Sequence, residues 1–312
     1  MLVVRSYSDV PAAARGGVLT IGNFDGVHRG HQVVIAEVKR LATAHGVPAG
    51  VMLFDPHPRA FFQPDRPHFT LTPLPYRLEL LAALQLDFAA VLPFDQAIAG
   101  LTAHQFIADV LAGGFFVRQL VVGYDFNFGK GRAGNDALLL AEGKRYGYGL
   151  DVQAPAGSGG EVYSSSRVRD LLRAGDVAGA ARVLGRWWRV SGIVISGAGR
   201  GAGLGYPTAN IQLPPGSGLA HGIYAAWAKS EGKTYQAAAY LGKRPSFDNG
   251  LPILEIFLLD FDGNLYGKSL DIELVAFIRG DRNFPSVQEL RQQMDKDVAE
   301  AIGHLNVDAV RP

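Results

Sequence analysis

The segment from Val18 to His31 constrains the fold and the chemistry of this chain more than any other. Its first four residues, Val-Leu-Thr-Ile, form a short apolar run that is typical of a buried strand. Gly22 and Gly26 interrupt this run, and a helical repeat of apolar residues then begins near His31 and ends at Gly46. A strand, a glycine-bearing turn and a helix N-terminus form an anion site, because the first backbone N–H groups of a helix have no partner within it.

Two histidines lie at this predicted helix start. His28 and His31 are three residues apart across the first turn, so their rings can share one face. Gly30 between them has no side chain that would block a nucleotide. Two imidazoles at such a site suit a reaction that splits a triphosphate between its α and β phosphorus atoms. The alternative is a pair of surface histidines near a helix start, which the longer string with Gly22, Phe24 and Asp25 disfavours.

The composition limits the class of protein. A length of 312 residues favours two domains, and 48% hydrophobic residues supply material for two cores. The net charge of +1, with scattered basic residues, disfavours nucleic acid as a partner. The chain has no cysteine, no secretory signal pattern and no apolar run of membrane-spanning length. We therefore expect a cytoplasmic protein with small-molecule partners and no membrane or nucleic-acid partner; no oligomeric state is predicted.

The first half alternates between strand and helix patterns. Further apolar runs at 51–54, 87–94 and 120–123 are separated by helical repeats, which predicts a doubly wound parallel sheet of the α/β class. Ligands of such sheets bind beyond the carboxyl ends of the strands. His57 and the segment 125–129 directly follow two of these runs, so we expect them near the glycine turn.

Three polar groups in these turns admit a structural and a functional interpretation. His57 lies between two prolines, which makes it either part of a rigid loop or a group aimed at a ligand. Asp125 and Asn127 alternate with phenylalanines, which indicates a half-buried strand end, a lid over a planar ligand, or both. In the segment 164–169, Ser164-Ser165-Ser166 and Arg169 combine a helix cap with a second phosphate site.

From Arg189 onward the pattern changes to strands. Five apolar or alternating runs separated by Gly, Pro and Asn turns predict an antiparallel β-barrel, and Ser286 with Glu289 begins a closing helix. The apolar stripe of that helix, from Val287 through Ile302, is expected in the core. We place the domain boundary at the change of pattern, which gives domains 1–184 and 185–312.

Two features of the second half indicate phosphate chemistry. The glycine-rich loop that contains Gly197, Arg200 and Gly201 is either a connector or a nucleotide loop. Thr208 and Asn210 share one face of an extended chain, and their oxygens are suited to Mg²⁺. Glu255 is a carboxylate within an apolar strand, so it lies either at an exposed edge or beside a partner.

These motifs closely resemble those of the bacterial bifunctional riboflavin kinase/FAD synthetases, over nearly the whole chain. The resemblance implies that ATP phosphorylates riboflavin to FMN and that a second ATP adenylylates FMN to FAD with release of pyrophosphate. It implies roles for the residues of the first half: catalysis by His28 and His31, ATP binding by Gly22, Phe24, Asp25, Gly30, Ser164, Ser165 and Arg169, and flavin binding by His57, Asp125 and Asn127.

In the second half, the same resemblance makes Glu255 the base that activates the 5′-hydroxyl of riboflavin. Gly197, Arg200, Gly201, Thr208 and Asn210 would bind ATP, and the last two would hold Mg²⁺.

Two departures from the family pattern lie in the kinase half. Ala202 replaces an arginine of the glycine-rich loop, and Tyr240 replaces the asparagine of an Asn-Ile-Gly motif. Two alternatives therefore stay open. The chain could be an FMN adenylyltransferase whose barrel only binds flavin, or a nucleotidyltransferase that acts on another phosphate. The intact Thr208, Asn210 and Glu255 favour the bifunctional enzyme.

Overall fold

The computed structural model of the chain describes residues 1–197, 203, 205–214, 216–242 and 252–307. It divides into two compact units. The first contains residues 1–67 and 72–164, and the second contains residues 68–71 and 165–312.

The first unit is built on a parallel sheet covered by helices. Within the described residues the sheet has six strands in the order β1-β4-β3-β2-β5-β6, and every neighbouring pair is parallel. The elements are β1 (Leu2–Val4), β2 (Val18–Ile21), α1 (Arg29–His45), β3 (Ala49–Asp55), α2 (Pro58–Phe62), α3 (Leu74–Ala83), β4 (Phe88–Pro93), α4 (Gln96–Gly100), α5 (Ala103–Gln105) with a π-helical continuation (Phe106–Ala112), β5 (Gln119–Gly123), α6 (Asp136–Tyr146), β6 (Gly149–Gln153) and the hairpin β7 (Gly157–Ser158) and β8 (Glu161–Val162).

The sequence pattern explains the centre of this sheet. All four residues of β2 are buried, as a strand covered on both faces requires. Helix α1 ends at Gly46, whose φ of 64° is the left-handed conformation that glycine adopts without strain. Thr102 and Gln105 form a capping box at the start of α5, with both reciprocal hydrogen bonds present. The predicted parallel α/β sheet is confirmed.

Both edge strands of the sheet were absent from the sequence prediction. β1 is three residues long and largely exposed, and β6 has no fully buried residue. Short, half-exposed strands produce neither a continuous apolar run nor a clear alternation, so hydrophobic periodicity does not detect them.

The second unit contains an antiparallel barrel. Among its described residues six strands pair in the order β10-β13-β12-β11-β14-β9. A bridge in which the Ile195 N–H donates to the Asn210 carbonyl at 2.9 Å joins the two ends of this sheet. The elements are α7 (Ser165–Arg173), α8 (Val177–Leu184), β9 (Trp188–Ile193), β10 (Ala209–Gln212), β11 (Gly222–Ser230), β12 (Lys233–Leu241), β13 (Ile253–Leu258), β14 (Ser269–Arg279) and α9 (Val287–Val307). The predicted barrel with a closing helix is confirmed.

The buried face of α9 differs from the predicted apolar stripe. Val287 is 65% exposed, and the fully buried side chains of the helix are Asp297, Ala301 and Leu305. Asp297 lies on this face because its carboxylate forms a two-pronged ion pair with Arg279 of β14, with N···O distances of 2.9 and 2.7 Å. An ion pair therefore helps to hold the middle of α9 against β14.

Helices α7 and α8 belong to the second unit by their contacts. Ala181 of α8 is buried in one cluster with Trp187 and Val275, and Trp188 donates its indole N–H to the Leu71 carbonyl at 2.9 Å. Along the chain the first unit therefore ends at Ser164, whereas the boundary predicted from the strand pattern lies at 184/185.

Candidate active sites

The turn between β2 and α1 places two histidine rings against each other. His28 is the N-cap residue of α1, and its Nδ1 accepts the His31 backbone N–H at 3.3 Å. The two rings stack with centroids 3.6 Å apart and planes inclined by 24°. The prediction that the rings share one face is confirmed, and both lie where the helix N-terminus attracts negative charge.

Gly30 has a structural reason as well as the predicted one. A Cβ at this position would lie 3.0 Å from His28 Nδ1 and 3.0 Å from the Tyr163 carbonyl oxygen. Glycine therefore lets the His28 ring turn back over the helix start. Tyr163 immediately precedes Ser164, so the segment before the serine motif passes beside this turn.

The remaining residues of the turn are held tightly. Phe24 is buried and its ring is 5.0 Å from that of His31, while Gly22 leaves room for the same ring. Asp25 is only 2% exposed, and its carboxylate accepts the Thr72 backbone N–H at 3.0 Å. The predicted binding of ATP by Gly22, Phe24 and Asp25 stays a prediction.

The loops after β3 and β5 reach the same edge of the sheet as the histidine turn, because β2 lies between these two parallel strands. His57 is the N-cap of α2, and its Nδ1 accepts the Arg59 N–H at 3.0 Å. This bond, and not only the flanking prolines, fixes the direction of the ring. Asp125 and Asn127 are exposed, and Asn127 donates to the Asp125 carbonyl at 2.8 Å.

A run of phenylalanine rings along this edge was not predicted as a unit. Neighbouring ring centroids are 5.2 to 6.4 Å apart, mostly in edge or tilted contacts. Phe62, which is 63% exposed, ends the run at the surface. Only the alternation around Asn127 signalled this run in the sequence, because its other members come from separate strands and helices. The rings belong to Phe62, Phe61, Phe94, Phe54, Phe106, Phe128 and Phe126.

The residues of the predicted second phosphate site are divided between the two units. Ser164 belongs to the first unit, whereas Ser165 and Arg169 lie in α7 of the second. The Arg169 Nε donates to the Phe69 carbonyl at 2.7 Å, and its Nη2 is 3.0 Å from His68 Nε2. Arg169 is thus held by the segment 68–71, and its phosphate contact stays a prediction.

The strands of the barrel place the kinase candidates in one row. Asn210 of β10 is the register partner of Glu255 of β13, and Glu255 is the partner of Tyr240 of β12. Directly opposed residues of antiparallel strands point to the same face with Cβ atoms about 5 Å apart. Asn210 is buried and Glu255 is half-buried. The structure therefore brings Asn210 and Glu255 together, and it adds Tyr240 to them.

Tyr240 is one of the two departures from the family pattern. Burial, then nearby Asp281 and Glu255, raises the pKa of its phenol to about 12. The hydroxyl is therefore neutral at physiological pH. It also lies over Gly242, where a Cβ would be 1.9 Å from the phenol oxygen, so a side chain at 242 would displace the ring.

The other kinase candidates lie around Asn210. The Asn210 side-chain amide donates to the Thr208 carbonyl at 3.3 Å, and a Cβ on Gly197 would lie 2.4 Å from Asn210 Nδ2. Gly197 thus lets the backbone pass directly over the buried amide. Arg200, Gly201 and Ala202 lie outside the described residues, so their roles stay predictions.

Across the described part of the chain, no helix is both long and apolar enough to cross a membrane. In the same residues, no group of three or more His, Cys, Asp or Glu side chains could hold a metal ion.

Each half of the chain matches a known family. The FAD synthetase family model matches residues 10–167, and the riboflavin kinase family model matches residues 184–305. A crystal structure described as a macrolide-efflux protein from Streptococcus pneumoniae has a TM-score of 0.83 and 26% identity, covering 95% of this chain and 96% of that one.

The curated relatives are full-length matches. Bifunctional riboflavin kinase/FMN adenylyltransferases from Haemophilus influenzae, Escherichia coli K12 and Bacillus subtilis are 34%, 36% and 34% identical to this chain. They cover 98%, 95% and 93% of it, and the matches span 100%, 96% and 92% of their own lengths. The chain therefore belongs to the bifunctional riboflavin kinase/FMN adenylyltransferase family, which makes FMN and FAD.

Proposed function

We propose that the two reactions use different residues, the adenylyl transfer at the histidine turn and the phosphorylation at the Asn210–Glu255 pair. The stacking of His28 on His31 at a helix N-terminus carries the first assignment. The direct cross-strand pairing of Asn210 with Glu255 carries the second.

In adenylyl transfer, a phosphate oxygen of FMN attacks the α-phosphorus of ATP, and the bond to the β-phosphate oxygen breaks to release pyrophosphate. A phosphate is already a nucleophile at neutral pH, so catalysis needs position and charge stabilisation rather than a strong base. His28 and His31 would donate to the triphosphate, together with the N-terminal amides of α1. Ser164, Ser165 and Arg169 would contact the leaving pyrophosphate.

The phenylalanine run and the polar side chains on the neighbouring loops would hold FMN. A planar isoalloxazine suits edge and stacking contacts with aromatic rings, and Phe62 provides an exposed ring at the surface. His57, Asp125 and Asn127 lie after neighbouring strands of the same sheet edge and would bind the polar part of the flavin.

In the kinase reaction, Glu255 would take the proton of the riboflavin 5′-hydroxyl. The hydroxyl oxygen would attack the γ-phosphorus of ATP, and ADP would leave. A hydroxyl, unlike a phosphate, needs such a base. The Thr208 hydroxyl and the Asn210 amide oxygen are hard ligands that fit Mg²⁺. When bound, Mg²⁺ neutralises charge on the phosphate oxygens of ATP.

Varying the metal concentration tests the Mg²⁺ assignment. With riboflavin and ATP as substrates, Asn210→Ala should raise the Mg²⁺ concentration that gives half-maximal FMN formation. The same variant given FMN and ATP should keep the wild-type Mg²⁺ dependence of FAD formation, since that reaction uses the other half. Equal Mg²⁺ dependence of FMN formation in variant and wild type would remove Asn210 from the metal site.

We propose that the activities separate at the predicted boundary, as domains 1–184 and 185–312. The change of sequence pattern there supports it, and the start of the riboflavin kinase match at residue 184 agrees. The contacts of α7 and α8 support instead a division at 164/165. Fragment pairs cut at each point should be compared by thermal unfolding and by FAD and FMN formation. The correct pair gives two folded, active fragments, whereas the other exposes the apolar faces of α7 and α8.

The net charge of +1 and the scattered basic residues support small molecules as the partners. The cysteine-free composition supports work in the reducing cytoplasm.

A further inference from the structure

The segment immediately before His28 has an unusual backbone. Phe24, Gly26 and Val27 have φ angles of 50°, 89° and 41°. Positive φ is rare for residues other than glycine, and for a β-branched residue such as Val27 it is a clear outlier. Such conformations persist only where the surroundings hold them, and they concentrate at functional sites.

Thr72 supplies part of that support from 47 residues further along the chain. Its hydroxyl accepts the Gly26 backbone N–H at 2.9 Å and donates to Asp25 Oδ1 at 3.2 Å. Its own N–H donates to the same carboxylate oxygen at 3.0 Å. Thr72 is fully buried, so water does not compete for these bonds.

Arg77, at the start of α3, also supports the backbone of this turn. Its Nη1 donates to the Asn23 carbonyl at 2.9 Å, and its Nη2 donates to the Thr72 carbonyl at 2.8 Å. Nη2 is also 3.6 Å from Asp25 Oδ1. Arg77 is 5% and Asp25 2% exposed, so the guanidinium offsets the buried charge of the carboxylate while the two carbonyls accept its N–H groups.

We infer that Thr72 and Arg77 are positioning residues for adenylyl transfer, which hold the turn of Asn23 to Val27 so that His28 and His31 stand ready for the triphosphate. On this inference Asp25 is the internal anchor of the turn rather than a contact to ATP. The inference deepens the proposed function of the histidines and rests on it.

The link from this turn to the histidines is short. Val27 precedes His28 directly, and its carbonyl accepts the Gln32 side-chain amide at 2.9 Å. The His28 ring in turn caps the His31 N–H. A turn released by loss of the Thr72 hydroxyl would therefore move both rings, and displacement by about 1 Å costs about 10²-fold in rate at a preorganised site.

The test compares three threonine variants in the full-length protein. Thr72→Val keeps the shape but removes the hydroxyl, Thr72→Ser keeps the hydroxyl, and Thr20→Val makes the same change at a buried threonine of β2. FAD formation from FMN is measured as kcat and KM. Thermal unfolding of the same sample reports whether the first half is folded, and FMN formation from riboflavin reports the second half.

Thr72→Val should lower kcat for FAD formation by about 10²-fold with KM for FMN nearly unchanged. Thr72→Ser should restore the rate, and Thr20→Val should behave as wild type. A normal kcat in Thr72→Val, or an equal loss in Thr20→Val, would overturn the inference. Should Thr72→Val fail to fold, Arg77→Lys decides, since it keeps the charge but not the forked contacts; normal FAD formation in that variant would overturn the inference.

A His31→Ala variant separates this inference from the proposed function. If His31→Ala makes FAD normally, the histidine site itself is wrong. If His31→Ala is inactive and Thr72→Val is normal, only the positioning role fails.

Discussion

The two halves of the chain place their candidate catalytic side chains in opposite ways. In the parallel sheet, the candidates stand on loops beyond the strand ends, and the histidine turn needs Thr72 and Arg77 to hold its shape. In the barrel, Asn210, Glu255 and Tyr240 stand on the strands themselves, and the pairing register sets their spacing. A loop site depends on distant side chains, whereas a strand site depends on the backbone ladder.

The largest effect should follow from changing the base of the strand site. Glu255→Gln keeps the side-chain shape but cannot accept a proton, so FMN formation should fall by about 10²–10⁴-fold. Chromatographic separation of riboflavin, FMN and FAD measures this, with added FMN as the control substrate for the other half. Normal phosphorylation of riboflavin by Glu255→Gln would show that Glu255 is not the base.

At the loop site, His31→Ala should lower FAD formation from FMN by about 10²–10³-fold, the effect of losing one preorganised donor. FMN formation should be unaffected, because the proposed kinase residues belong to the other half of the chain. Loss of both activities in this variant would contradict the assignment of the two reactions to separate sites.

A smaller effect should come from the ring that the register places beside Glu255. Gly242→Ala would set a Cβ 1.9 Å from the Tyr240 hydroxyl, and the displaced ring should lower FMN formation by about 10-fold. Tyr240→Leu combined with Gly242→Ala removes the collision. We expect the double variant to be more active than Gly242→Ala alone; additive losses would show that the two positions are not coupled.

The smallest effect concerns stability in alkali. Burial is the main cause that raises the pKa of Tyr148, in the first half, to about 12. The fold therefore favours the protonated phenol, and the stability this gives is complete below about pH 10 and lost as the pH rises through about 12. The loss is about 3 kcal/mol at most. Denaturant titrations between these pH values should show a flatter dependence for Tyr148→Phe, and an unchanged slope would contradict this assignment.

Apolar periodicity sufficed for the interior elements of both halves. β2 and α1 were predictable because a buried run, a helical repeat of apolar residues and a terminal glycine follow one another in the chain. β10 was not predicted as a strand, since its four residues overlap the Thr208–Asn210 motif and give too short a pattern. The burial of Asp297 on α9 was also not predictable, because its partner Arg279 lies on another element.

Prediction of the two sites from the sequence was likewise limited to relations between neighbouring residues. The stacking of His28 on His31 was predictable, since helix geometry relates positions three apart. The pairing of Asn210 with Glu255 depends on strand register, and the contact of Thr72 with Gly26 crosses 46 residues. Neither relation leaves a local pattern in a single sequence.

The bridge between Ile195 and Asn210 joins the two ends of the barrel sheet through the backbone of a residue whose side chain is a proposed Mg²⁺ ligand. This bridge is the seam of the barrel, and it shares Asn210 with the proposed kinase site. Any ligand that binds Asn210 in the closed state must oppose local opening of the seam by mass action. Hydrogen exchange at the Ile195 amide should slow when Mg-ATP binds, which makes a single backbone proton a reporter of occupancy in the kinase half.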